Sequence, residues 1–133
     1  MKRRAVTLLD VVAALVILSV ALPPLVGAMA ESAQQSIRST YTTVASFLAT
    51  ERMEEITARR NQAGGYAQVV AANFPAETPV SGYPNYSRSV AITEVAADLT
   101  TPQSGSGLKK VVVTVQWDGG TRQVKVAHLF ADY

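Results

Sequence analysis

Cysteine is absent from the 133-residue chain. That excludes disulfides, thiolate catalysis and cysteine-ligated zinc or iron–sulfur centres together. Histidine occurs once, as His128. No nucleophile, base and orienting group stand together as a hydrolytic or acyl-transfer site requires, so neither an enzyme nor a metal or cofactor is expected. The glycine-containing stretch 100–107 (TTPQSGSG) lacks the Gly-Lys-Ser/Thr of a phosphate cradle and reads as a loop. Two further absences divide the chain. Residues 11–30 carry no charge, and residues 31–62 contain no proline and no glycine. The first is the composition of a lipid-embedded or buried helix, and the second removes the residues that interrupt helices.

What is present fits that division. The formal net charge is +2, and three of the twelve basic residues are Lys2, Arg3 and Arg4. Beyond them nine basic residues face ten acidic ones, so no global basic field favours nucleic acid. The basic cluster precedes the apolar run, where it holds that end of the chain on the cytoplasmic side of a membrane. Twenty residues of helix span about 30 Å, the thickness of a bilayer core. Pro23, Pro24 and Gly27 fall late in this run. Each proline removes a backbone donor, so the pair predicts a kink or a local opening of the helix.

Residues 31–62 read as an amphipathic helix. Ile37, Tyr41, Val44 and Leu48 are spaced four, three and four apart, and Ala45, Ala49, Met53 and Ile56 widen the stripe. Glu51, Arg52, Glu54, Glu55, Arg59 and Arg60 fall largely off it and read as a solvated face. Gly64-Gly65 ends the helix. Residues 64–86 form a loop with Pro75, Pro79, Gly82 and Pro84, in which 69–72 read as a short helical turn. The period then changes to two. Residues 86–95, 109–117 and 121–130 read as strands, the last two joined at Asp118-Gly119-Gly120, a strong hairpin signal. Val111, Val113 and Val115 share one side of the middle strand. A sheet this small needs a cover for its apolar face. The expected fold is therefore α+β: a long N-terminal helix, one half transmembrane and one half amphipathic, packed on a small antiparallel sheet of about three strands. The expected divisions are a leader at 1–5, a transmembrane or filament-core helix at 6–30, an amphipathic helix at 31–62 and a β-rich head at 63–133.

The N-terminus carries an ordered pattern: a short basic leader, the small residue Ala5, then Val6-Thr7-Leu8-Leu9-Asp10, then twenty uncharged residues. This resembles the processing signal of type IV pilins and of type II secretion pseudopilins. The segment Ala49-Thr50-Glu51-Arg52-Met53-Glu54-Glu55-Ile56 is similar to the helix end of PilV-type minor pilins and I-type minor pseudopilins. So is the ending, a valine-rich strand, Trp117, a glycine turn and a strand closing on Ala131-Asp132-Tyr133. The resemblance implies cleavage after Ala5 by a prepilin peptidase, N-methylation of Val6 and an assembly role for Asp10, with Thr7, Leu8 and Leu9 completing the motif. In the family the acid of one subunit pairs with the amino terminus of a neighbour. Ala5, Val6 and Asp10 stand where the family usually has Gly, Phe and Glu. The resemblance further implies a hetero-oligomeric filament of pilin or pseudopilin subunits, an inner-membrane precursor with its N-terminus cytoplasmic and its head periplasmic, local melting of the helix near Pro23, Pro24 and Gly27, and the place of a minor or initiating subunit.

Two other readings of residues 1–30 stay open. Ala28-Met29-Ala30 fits the A-x-A site of an ordinary secretory signal peptide, whose removal would release a soluble periplasmic domain starting at Glu31. The same run also suits a simple signal anchor. Among the remaining candidates, Glu51 and Glu55 share a helical face but have no histidine near them in sequence, and read as solvated. His128 reads as a strand residue, Trp117 as sheet packing or an interface anchor, and Lys109-Lys110 as solvated lysines at a strand start.

Overall fold

The computed structural model describes residues 7–132. The elements follow in the order α1 (Leu8–Arg60), α2 (Gly65–Gln68), a 3-10 turn (Ala71–Asn73), β1 (Tyr86–Glu94), β2 (Leu108–Trp117), a second 3-10 turn (Asp118–Gly120) and β3 (Arg122–Ala131). This is the expected α+β arrangement of one long helix and a three-stranded antiparallel sheet. The chain divides into two compact units, with the boundary between Thr40 and Tyr41.

The described part of the first unit is helix from Leu8 onward, and every residue of it is exposed. The helix is long and apolar enough to cross a membrane. A signal sequence meets the same criterion. Pro23, Pro24 and Gly27 lie inside α1, and the backbone stays helical through all three. The opening expected there is thus not present. Adjacent prolines withdraw the donors only for the carbonyls of Ser19 and Val20, so the loss is confined to one turn while uninterrupted ladder flanks it.

The second unit buries Ala45, Leu48, Ala49, Met53 and Ile56 of α1 against Val111, Val113 and Val115 of β2. The helical residues recur at three and four, and the valines at two, so each element turns one apolar side to the other. Burial of each larger side chain stabilises the head by about 1.5–3 kcal/mol. Val69, Phe74 and Val80, from the connection between helix and sheet, close the same core. The strand order is β1-β2-β3. The register pairs Val90 with Val113 and Val113 with Val126, which places these three on the face beneath the helix. The hairpin expected between β2 and β3 is present. Asp118, Gly119 and Gly120 all take positive φ, at 56°, 64° and 87°. Glycine at the last two positions is what permits three such residues in succession.

Helix α1 ends at Arg60, two residues before the expected limit, and Gly64 follows with φ of 70°. A Cβ on Gly65 would lie 2.2 Å from the carbonyl oxygen of Arg59, so only glycine fits as the chain crosses back over the helix end. Helical turns form at 65–68 and 71–73 instead of the expected 69–72. The apolar stripe also outruns its cover. Ile37 and Tyr41 are 57% and 40% exposed, and burial along α1 begins with Val44 and Ala45.

Candidate functional site

The first turn of α1 gathers the N-terminal motif. The amide and hydroxyl of Thr7 both donate to Asp10 Oδ2, at 3.1 and 2.8 Å. In return the Asp10 amide lies 3.0 Å from the Thr7 carbonyl and 3.4 Å from its hydroxyl. Thr-x-x-acid is a capping box, in which side chains satisfy amide donors that the helix start leaves over. The carboxylate also meets the positive end of the helix dipole. Asp10 Oδ1 has no hydrogen-bond partner among the described residues. Leu8 and Leu9, at 84% and 78% exposure, flank it without covering it. Of the residues singled out in the sequence, the fold brings together Thr7 and Asp10. Ala5 and Val6 lie outside the described residues. Pro23, Pro24 and Gly27 sit further along α1 and add nothing to this cluster.

A second constellation lies under the head. Arg52 and Arg88 are 7% and 8% exposed, and Glu77 bridges them. Arg88 donates from Nη2 to Glu77 Oε2 at 2.7 Å, from Nε to the same oxygen at 3.2 Å, and from Nη1 to Glu51 and to the Leu48 carbonyl at 2.9 Å each. Arg52 donates to Glu55 at 2.8 Å and to Glu77. The backbones of Glu77 and Arg88 exchange two hydrogen bonds of 2.9 Å, which places the carboxylate. This corrects the solvated face expected around Arg52. Its position beside the apolar stripe makes it helical background in sequence, and its main partner lies 25 residues away.

Lys109 corrects a similar expectation. It is 6% exposed, donates to the Tyr66 carbonyl at 2.9 Å and stands 4.3 Å from the centre of the Tyr66 ring. Burial raises the Tyr66 phenol above its ordinary pKa, and the carboxylates of Glu94 and Asp132 add to the shift. Trp117 is packed as expected, its ring centre 6.2 Å from that of Tyr86. The Tyr86 hydroxyl donates to the Tyr41 carbonyl at 3.2 Å. His128 is exposed and lies against Phe130, with ring centres 4.7 Å apart.

Among the described residues no three histidines, cysteines or carboxylates are placed to hold a metal ion. An open polar cleft is lined by Arg60, Asn61, Gln62, Tyr66 and Asp132. No protein family, curated protein or solved structure matches the chain.

Proposed function

We propose that this chain is a structural subunit of a pilin-like filament, a type IV pilus or a type II secretion pseudopilus, anchored in the inner membrane until it assembles. The observation that carries this reading is a helix, uncharged over residues 11–30 and exposed from Leu8 to Thr43, with a carboxylate in its first turn whose second oxygen has no hydrogen-bond partner among the described residues. A helix of that kind is stable in lipid or against other helices. A carboxylate costs about 2.5–3.5 kcal/mol at the centre of a membrane helix on insertion scales. Asp10 therefore calls for a positive partner that its own chain, among the described residues, does not supply. In the proposed filament the partner is the N-methylated amino terminus of a neighbouring subunit, generated when prepilin peptidase cuts between Ala5 and Val6. The amine is positive near neutral pH, with an ordinary pKa of about 7.7–8.0. Removing one member of such a buried pair costs about 3–5 kcal/mol. The precursor would hold its N-terminus in the cytoplasm and its head in the periplasm. The likeness of residues 49–56 to PilV-type and I-type subunits favours a minor or initiating place.

One observation keeps a second reading in play. The compact head begins at Tyr41 and its buried core at Ala45, so signal-peptide cleavage after Ala30 would leave every core residue in place. Mass spectrometry of the mature N-terminal peptide from native membranes separates the two. The filament reading expects N-methylated Val6. A terminus at Glu31 identifies a released periplasmic domain and removes Asp10 from the mature protein.

A further inference from the structure

We infer that the head docks on a second copy of this chain, the outward side of α1 in one copy seating on the outer face of the sheet in the next, with Phe47 as the anchor. This contact goes beyond the filament reading, since it uses neither Asp10 nor the N-terminus.

The two surfaces lie on opposite sides of the head. Ala45, Leu48, Ala49, Met53 and Ile56 face the sheet, and the other side of α1 carries Phe47, Thr50, Glu51 and Glu54, all exposed. Phe47 is 60% exposed, more than any other large apolar residue among the described residues of the second unit. A phenyl group held on the rigid side of a helix, among threonine and glutamate, is the usual form of an interface anchor.

On the outer face of the sheet the register aligns Ala91, Val112 and Ala127 across all three strands. Both alanines are exposed and Val112 is half-buried. The row on one side is Thr93, Lys110 and Leu129, and the row on the other is Ser89, Thr114 and Lys125. Strands lie about 4.8 Å apart and alternate residues about 7 Å apart. The short Ala-Val-Ala row is thus a shallow apolar trough about 10 Å long between taller side chains, wide enough for one phenyl ring.

Charge selects the pairing. Lys110 and Lys125 project from the outer face, and no carboxylate alternates with them there. The outward side of α1 offers Glu51 and Glu54 with no base among its exposed neighbours. Glu51 already holds Arg88, whereas the side chains of Glu54 and Lys125 have no ion pair among the described residues. Sheet against sheet would oppose lysines, and helix against helix would oppose glutamates. Only the helix-to-sheet pairing brings unlike charges together around an apolar anchor. Such a contact joins different surfaces, so it repeats from copy to copy instead of closing as a twofold dimer.

The test uses the absence of cysteine from the full chain in native membranes. Thr50→Cys sits one turn from Phe47 and leaves the anchor in place, and Ala127→Cys lies in the trough. Mixed chains carrying one substitution each should give an oxidised dimer that neither gives alone. A chain carrying both should give a ladder, because the two positions lie on opposite sides of one head. Phe47→Ala should lower the yield at least tenfold while the head keeps its protease resistance, as an exposed residue allows. Lys125→Glu should do the same, with recovery when the other copy carries Glu54→Lys. Cross-links between Thr50→Cys chains alone, no cross-links at all, or a yield indifferent to Phe47→Ala would overturn the docking. The result is read independently of the mature terminus: a ladder with a Glu31 start retains the docking and removes the filament reading, and a Val6 start without a ladder does the reverse.

Discussion

Arg52 and Arg88 set the head apart from an ordinary two-layer packing. Both are charges taken out of water, and Glu77 is the one carboxylate they share, with Glu55 as a further partner of Arg52 and Glu51 of Arg88. Breaking a buried pair from one side leaves the remaining charge uncompensated, whereas replacing the whole group by apolar residues is often neutral. Glu77→Ala is expected to destabilise the protein in urea titration by less than the roughly 3–5 kcal/mol of a fully uncompensated buried charge, because Glu55 and Glu51 still hold the two arginines, with the connection 61–85 losing protection first. Glu55, half-exposed and bound to Arg52 alone, supplies the contrast. Its alanine substitution should cost about 0–1 kcal/mol, as exposed ion pairs do. Asp98 gives a pH-dependent test elsewhere in the head. The hydroxyl and amide of Thr101 and the amide of Thr100 bind its carboxylate and hold its pKa well below the usual carboxylate range. A lowered folded pKa stabilises the ionised loop above the unfolded value, near 3.9, and that contribution fades as pH falls from there toward the folded value. The amides of Thr100 and Thr101 should therefore lose hydrogen-exchange protection on acidification below about pH 4. Asp98→Asn should remove that pH dependence.

At the scale of the element, α1 joins two roles in one turn. The capping box explains the Thr-x-x-Asp spacing by local physics, and the proposed filament pairing explains it by assembly. The substitutions Asp10→Asn and Asp10→Ala separate them. At the N3 position of a capping box asparagine keeps a side-chain oxygen that accepts the Thr7 amide, while alanine loses it. If charge pairing governs assembly, both variants stay in the membrane, are processed, and fail to build filaments or support secretion. If the carboxylate only caps, Asp10→Asn assembles normally in the same pull-down and filament-shearing assay. The strands were the most legible elements. Alternation in 109–117 and the Asp-Gly-Gly turn gave their limits to within a residue, because period two and positive-φ glycines are local properties. The prolines were less decisive: the pair predicts a kink or a local opening, and the backbone of α1 stays helical through both. Their chemistry is local, but whether a helix opens around them depends on what surrounds it.

At the scale of the molecule, composition and periodicity determined that the chain joins a long N-terminal helix, uncharged over residues 11–30, to a small antiparallel sheet. Composition also determined that cysteine chemistry is excluded. Those properties follow from residue type, period and turn chemistry, which act over a few neighbours. Thr7 and Asp10 were singled out by resemblance alone; their capping box was not read from the sequence, although the Thr-x-x-Asp spacing within one turn carries that signal. Burial of Arg52, Arg88 and Lys109 was not legible. Each is a long, charged side chain in a sequence position where solvation is the ordinary outcome, and each is buried by a partner brought from elsewhere: Glu77 for the arginines and Tyr66 for the lysine. Tertiary structure likewise decided which side of α1 the sheet covers and left Phe47 outside. It also aligned Ala91, Val112 and Ala127, from three strands, into one row. The sequence by itself determined the elements, because their causes are local. Their burial, charge pairing and surfaces needed the fold, because those depend on residues distant in the chain that only packing brings into contact.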